Sequence, residues 1–92
     1  MALTWPNKDP GEKLDYAVDW TTRLAGDTIA TSNWTVPTGI TQTTPAPSFT
    51  NTLTTIWLLG GTIGQTYELT NTITTAAGRT MVQSIDETIV AK

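Results

Sequence analysis

Threonine occupies 22 of this chain's 92 positions, and in the segment 66–75 it recurs at alternate residues as Thr70, Thr72 and Thr74. Threonine is β-branched, so it favours extended backbone and packs well on a pleated surface. An alternation of period two puts such side chains on one face of a strand. We therefore expect the chain to fold mainly into β-sheet, with a hydroxyl-rich face that is suited to contact.

Length and charge narrow the class further. The chain has 92 residues, enough for one domain near the size of an immunoglobulin-type sandwich. Charged residues make up only 14% of it, against about 25% in typical globular domains. A surface so poor in charge is only modestly soluble, so we expect a protein partner to cover part of it. Cysteine is absent, so the fold must depend on packing without disulfides.

Charge and hydropathy also exclude two classes of partner. The net charge of −3, with five lysines and arginines in total, provides no basic stripe for nucleic-acid phosphates. No run approaches the roughly 18 apolar residues of a membrane span. The first six residues lack the charged and apolar regions of a signal peptide. We expect neither a nucleic-acid nor a membrane partner, and synthesis without Sec-type export.

Turn and strand signals divide the chain. The turn signal Asp9-Pro10-Gly11 closes an N-terminal arm, assigned to residues 1–13, and residues 14–92 form the sandwich domain. From Leu14 to Trp20 large apolar residues alternate with small or charged ones, which predicts a half-buried strand. A short helical turn that ends at Gly26 is expected to follow.

The rest of the chain carries further strand and corner signals. Ile29 and Trp34 differ in parity, so they need a bulge between them to share a face. The segment 37–52 contains several prolines, which predicts an edge strand and a long loop. Gly64-Gln65-Thr66-Tyr67 matches a tyrosine corner, whose hydroxyl bonds back to the preceding corner, although an ordinary strand tyrosine is the alternative. The pattern predicts an all-β, immunoglobulin-like antiparallel β-sandwich of about seven strands.

The segment 53–59 is apolar at both parities. Leu53, Trp57 and Leu59 share one side, which we assign to the core. Ile56 and Leu58 then point outward and form an apolar patch for a partner to cover. The alternative is a strand that is buried on both sides within the domain.

Aromatic residues supply core and contact candidates. We expect Trp20, Trp34 and Trp57 to be buried, with Trp34 as the central tryptophan of the sandwich. Trp5 lies in the arm, where it either packs on its own sandwich or docks on a neighbouring subunit. The predicted partner contacts are Trp5, Ile56, Leu58, Thr70, Thr72 and Thr74.

Catalytic and metal chemistry find little support. The three serines have no histidine base anywhere in the chain. Asp15 and Asp19 share a strand face about 13 Å apart, too far for a glycosidase pair. The acidic residues form no compact calcium loop. We therefore predict no catalytic residue, no metal site and no cofactor, and a protein that is not an enzyme.

Several strings together resemble a known group of proteins. They are Leu14-Asp15-Tyr16-Ala17-Val18-Asp19-Trp20, Gly26-Asp27-Thr28-Ile29, Ser32-Asn33-Trp34-Thr35-Val36-Pro37, Tyr67-Glu68-Leu69-Thr70-Asn71-Thr72-Ile73-Thr74-Thr75 and Gly78-Arg79. The chain resembles short immunoglobulin-like virion proteins of tailed bacteriophages, which are fibre-to-tail adaptors or head accessory (decoration) proteins. The resemblance implies no catalytic residues. It implies a structural component of the virion, made in the host bacterial cytoplasm and present in multiple copies, with capsid, tail or fibre proteins as partners.

Two other function classes stay open at this point. A carbohydrate-binding module would stack its tryptophans on host surface glycans. A hydrolase would need a bound metal to replace the missing base.

Overall fold

Residues 3–92 are described by a computed structural model, and they form two facing β-sheets. The elements are β1 (Leu3–Thr4), β2 (Lys13–Asp19), α1 (Thr21–Leu24), β3 (Ile29–Thr35), β4 (Ile40–Gln42), β5 (Ser48–Phe49), β6 (Leu53–Gly60), β7 (Thr66–Thr75) and β8 (Thr80–Thr88). The first sheet has the order β1-β8-β7-β3, and the second has β2-β6-β4 with β5 also paired to β6. The predicted all-β, immunoglobulin-like sandwich is confirmed, with the exception that β1 pairs with β8 in parallel. Within residues 3–92 no helix has the length and apolar character to cross a membrane.

Alternation along the strands builds the core as the sequence predicts. On β7, Leu69 and Ile73 are fully buried while the threonines between them point outward. On β2, Val18 is buried between the exposed residues Ala17 and Asp19, and Trp20 follows at 1% exposure. Each fully buried aliphatic side chain contributes about 1.5–3 kcal/mol to folding.

A polar group spans the two sheets inside this core. The Asn71 side-chain oxygen accepts hydrogen bonds from Trp20 Nε1 (3.1 Å) and from Thr54 Oγ1 (2.7 Å). The Asn71 amide nitrogen donates to Ser32 Oγ and to the Asn33 carbonyl, both at 3.0 Å. Because Thr54 lies on β6 and Asn71 on β7, these bonds fix one sheet against the other.

Three local predictions are confirmed. The register of β3 on β7 shifts between Ile29 and Thr31, which is the expected bulge. The Tyr67 hydroxyl accepts a 3.0 Å hydrogen bond from the backbone N–H of Thr62, so the tyrosine corner is present. The short helix α1 ends in positive φ angles at Ala25 (50°) and Gly26 (93°).

The predicted orientation of β6 is wrong. Ile56 and Leu58 are 0% exposed and face the core, whereas Leu59 is 39% exposed and Trp57 is half-buried on the outer face. β6 is the middle strand of its sheet, and its inner face packs against the first sheet. Branched and linear aliphatic side chains fill that interior, so the larger Trp57 lies on the outside. Trp34 is also only half-buried, and Trp20 takes the central place.

The N-terminal arm closes one open side of the sandwich. The Trp5 backbone N–H donates to Asp86 O on β8, and Trp5 Nε1 donates to Ala17 O on β2, both at 3.1 Å. The indole is 7% exposed and stacks on Tyr16 at 4.8 Å between centroids. Of the two alternatives for Trp5, packing on its own sandwich is therefore correct. Residues 1 and 2 of the predicted arm lie outside the described residues, and β2 begins at Lys13.

Two charged side chains are fully buried under this arm, which the sequence did not predict. Lys8 and Glu87 are both 0% exposed. Lys8 Nζ donates to Gly60 O (2.8 Å) and Asp9 O (3.0 Å), which ties the arm to the end of β6. Burial raises the pKa of Glu87, an effect that Tyr16 and Lys8 oppose, and burial lowers the pKa of Lys8. Glu87 therefore takes up a proton at higher pH than an exposed glutamate does.

A second charged contact joins the β2–β3 connection to the β7–β8 hairpin. Asp27 Oδ2 accepts from Arg79 Nη2 at 3.1 Å, and Arg79 Nη2 also donates to Leu24 O at 2.6 Å. The other oxygen, Oδ1, accepts from the backbone N–H groups of Thr28 (2.8 Å) and Ala77 (3.2 Å). One carboxylate thus holds two loops together.

Replacing Asp27 with asparagine is expected to destabilise the protein at neutral pH and to reduce its sensitivity to acid. Hydrogen bonds, chiefly from the Thr75 hydroxyl, lower the pKa of Asp27 to about 2. A lowered carboxyl pKa stabilises the fold above the unfolded value of about 3.9, and this stabilisation is lost as the pH falls from about 4 through about 2. Thermal unfolding at pH 7, 4 and 2 measures both effects. Asp15→Asn, on an exposed strand position, is the control at pH 7, and an Asp27→Asn curve that parallels wild type at every pH would contradict the assignment.

Candidate interaction surfaces

The outer face of the first sheet is a surface of uncharged, mostly hydroxyl-bearing side chains, here called the threonine face. It consists of Thr31, Asn33, Thr35, Thr70, Thr72, Thr74, Thr80, Val82 and Ser84. The strand register aligns these residues in rows across β3, β7 and β8, and the middle row is Asn33, Thr72 and Val82. Val82 is 51% exposed at its edge.

Cross-strand hydrogen bonds order the hydroxyl groups on this face. Thr31 Oγ1 and Thr74 Oγ1 are 2.6 Å apart, and Thr70 Oγ1 and Ser84 Oγ are 3.4 Å apart. Paired hydroxyls and χ1-restricted side chains lose little freedom when a partner covers them. The predicted contacts Thr70, Thr72 and Thr74 all lie on this face, side by side along β7.

An acidic row limits the threonine face at one end. Glu68 on β7 and Asp86 on β8 are direct cross-strand partners. Like charges placed opposite each other destabilise a sheet. The side chains of the threonine face itself are uncharged, whereas Glu68 and Asp86 lie at one end of it and Arg23 Nη1 donates to the Val82 carbonyl (2.9 Å) at its β8 edge.

The outer face of the second sheet has a different character. An apolar line runs along β6 through Leu53, Trp57 and Leu59, here called the β6 stripe. Its neighbours on β2 are Asp19, Asp15 and Lys13, in the same order. The Lys13 ammonium lies 5.8 Å from the centroid of the Trp57 ring, within the range of a cation–π contact.

Asp19 lies at the other end of β2 and accepts two hydrogen bonds from Thr21. Its Oδ1 accepts from Thr21 Oγ1 (2.6 Å) and from the Thr21 backbone N–H (2.9 Å). These bonds, the hydroxyl one first, lower the pKa of Asp19. β2 therefore presents a cation and an anion at opposite ends of one exposed face.

The six predicted contact residues separate into two groups. Trp5, Ile56 and Leu58 lie in the core and cannot form an exposed surface. The residues of the β6 stripe take the place that was predicted for Ile56 and Leu58. The sequence holds part of the signal, because the charges of β2 at Lys13, Asp15 and Asp19 mark its outer face. The observed antiparallel register then puts the stripe beside them.

Acidic residues do not assemble into a metal centre in the part of the chain that the structure describes. No group of three histidine, cysteine, aspartate or glutamate side chains within residues 3–92 is arranged to hold an ion.

Comparison with known proteins identifies the family. Residues 8–86 match the family described as podophage GP4 fiber-tail adaptor protein gp77. The match spans most of the chain, which therefore belongs to this family of fibre–tail adaptors and is a structural virion protein. No curated protein matches the chain.

Proposed function

We propose that this fibre–tail adaptor joins a fibre protein to a tail protein by non-enzymatic contact, and that the threonine face is one of its two docking surfaces. The observation that carries the proposal is the position of Val82, a half-exposed apolar side chain at the edge of an uncharged row. The family description names the fibre and the tail, so we assign the two partners there rather than to the capsid. We further propose that the adaptor is made in the host bacterial cytoplasm and enters each virion in multiple copies.

The chemistry of the threonine face suits a stable protein interface. Interface centres are depleted of charged residues, because a buried charge must be desolvated and paired. Rows of threonine, serine and asparagine offer hydrogen bonds without that cost, and the methyl groups of threonine add apolar area. Charged side chains, such as Glu68 and Asp86, flank the face, as they do at the rim of an interface.

Val82→Glu is expected to weaken binding of the purified adaptor to either the fibre protein or the tail protein by about tenfold or more. The new carboxylate would lose its hydration at the interface, and the neighbouring Arg23 guanidinium is already engaged by the Val82 carbonyl (2.9 Å) and the Gln83 side chain (3.2 Å). Isothermal titration against each purified partner measures the effect. The matched control is Ile63→Glu, which places the same group on the exposed corner between β6 and β7, where Ile63 is 56% exposed.

The outcomes separate the proposal from its rivals. Unchanged binding of Val82→Glu to both partners would contradict a role for the threonine face. A saturable change in tryptophan fluorescence on titration with host surface polysaccharide would favour a carbohydrate-binding module instead. Adaptor-family membership and the half-buried state of Trp57 lead us to expect no such change.

A further inference from the structure

The β6 stripe is an apolar surface with a defined charge order beside it. From one end to the other, the cross-strand pairs on this outer face are Lys13 with Leu59, Asp15 with Trp57, Ala17 with Thr55, and Asp19 with Leu53. The face therefore has an apolar residue at each end of β6. The cation Lys13 lies beside Leu59, and the anion Asp19 lies beside Leu53. Such a surface is complementary to itself when it is reversed.

We infer that the β6 stripe binds the β6 stripe of a second copy of this chain, with the two sheets face to face and their strands antiparallel. The inference concerns the opposite sheet from the threonine face and does not depend on that proposal. It gives the multiple copies of the adaptor a specific contact.

The strand register determines which residues meet. A two-fold axis that crosses the strands at the Tyr16–Ile56 pair reverses the order of the rows. Lys13 then lies opposite the second copy's Asp19, and Leu59 lies opposite the second copy's Leu53. Symmetry repeats both contacts, so each dimer contains two lysine–aspartate pairs at the rim and two leucine–leucine contacts. Between them Trp57 lies opposite the second copy's Thr55, and Asp15 lies opposite its Ala17. Sheets stacked about 10 Å apart leave room for these side chains to meet.

The alternative two-fold arrangement does not pair the charges. If the axis ran along the strands, β2 would lie over β4 and β5 of the second copy. The segment 40–49, which contains both of those strands, has no charged residue. Lys13 and Asp19 would then be covered by neutral side chains, and among residues 3–92 neither forms an ion pair in the single chain. Charge complementarity thus selects the antiparallel arrangement.

Charge exchange tests this arrangement. The purified chain is examined by sedimentation equilibrium over a wide concentration range, where wild type is expected to dimerise. Lys13→Asp alone places two carboxylates at each contact, and Asp19→Lys alone places two ammonium groups there. Each single variant is expected to raise the dimer dissociation constant by about tenfold or more, because two ion pairs become two repulsions.

Two restorations are specific to the predicted register. The double variant Lys13→Asp with Asp19→Lys regains attraction within its own dimer. An equimolar mixture of the two single variants is expected to form heterodimers, because both contacts then join a carboxylate to an ammonium group. Leu59→Asp is expected to abolish association, since it charges both leucine–leucine contacts. Glu68→Lys on the opposite sheet changes the net charge as Asp19→Lys does and is expected to leave the dissociation constant unchanged.

Several results would overturn the inference. They are a monomeric wild type at all concentrations, equal dissociation constants for wild type and both single variants, and failure of the mixture to associate. Circular dichroism and thermal unfolding of each variant establish that it is folded, which matters for Asp19→Lys because Asp19 also bonds to Thr21. A monomeric but partner-binding protein would remove the dimer and leave the threonine-face proposal intact.

Discussion

Asn71→Leu is expected to lower the free energy of unfolding by about 3–5 kcal/mol, a large part of the roughly 5–15 kcal/mol that stabilises a domain. Leucine has a similar volume, so the substitution removes hydrogen bonds without a large cavity. Trp20, Thr54, Ser32 and the Asn33 carbonyl each lose a bond to Asn71 inside the protein. Urea unfolding followed by tryptophan fluorescence measures the change.

Thr72→Leu is the matched control for this prediction. Thr72 is the next residue of β7, and its side chain points outward. The same leucine there is expected to change the free energy of unfolding by less than about 1 kcal/mol. Equal losses in the two variants would mean that β7 itself tolerates leucine poorly and that the polar group of Asn71 contributes little.

Gly61→Ala is expected to destabilise the protein by about 3 kcal/mol, for two reasons that add. Gly61 has a φ of 101°, which strains any residue with a Cβ by about 1–2 kcal/mol. A Cβ at this position would also lie 2.6 Å from Ile89 Cγ1 and 2.7 Å from Ile89 Cδ1. Ile89 is fully buried, so it cannot move aside without disturbing the core.

Gly64→Ala separates the two contributions to the Gly61 effect. Gly64 lies in the same corner with a φ of 87°, and a Cβ there meets nothing within 4 Å. Only backbone strain applies, so a loss of about 1 kcal/mol is expected. Thermal and urea unfolding of both variants give the difference. If the two variants lose the same stability, the contact between a Cβ at residue 61 and Ile89 is of no consequence.

The sequence predicts those parts of the fold in which local pattern and burial agree. Strands β2 and β7 alternate cleanly, so the inward side of each is predicted correctly. The bulge between Ile29 and Thr31 follows from a parity conflict within one short segment. The tyrosine corner follows from a glycine turn a few residues before Tyr67, and its hydrogen bond is local in sequence.

Features that depend on distant parts of the chain are not predictable in this way. β6 is apolar at both odd and even positions, so its own sequence does not show which of its faces is buried. Its pairing with β2 decides which side faces inward. The burial of Lys8 and Glu87 breaks the polar pattern and depends on the path of the arm. The same holds for the candidate surfaces. The outward direction of Thr70, Thr72 and Thr74 follows from their alternation, whereas the neighbouring rows on β3 and β8 and the β6 stripe require the observed pairing.

The N-terminal arm covers a strand edge of the first sheet while the protein is still free of the particle. Backbone groups of Trp5 and Lys8 bond to Asp86 and Thr88, and Lys8 also accepts from Val90. Without these bonds the C-terminal half of β8 would be a bare strand margin, which is a template for the addition of foreign strands. Because the arm pairs with this edge, the backbone groups of the edge are already hydrogen-bonded within the chain. A strand of another molecule therefore cannot add there. Association is thereby left to side-chain surfaces, whose chemistry can discriminate among partners.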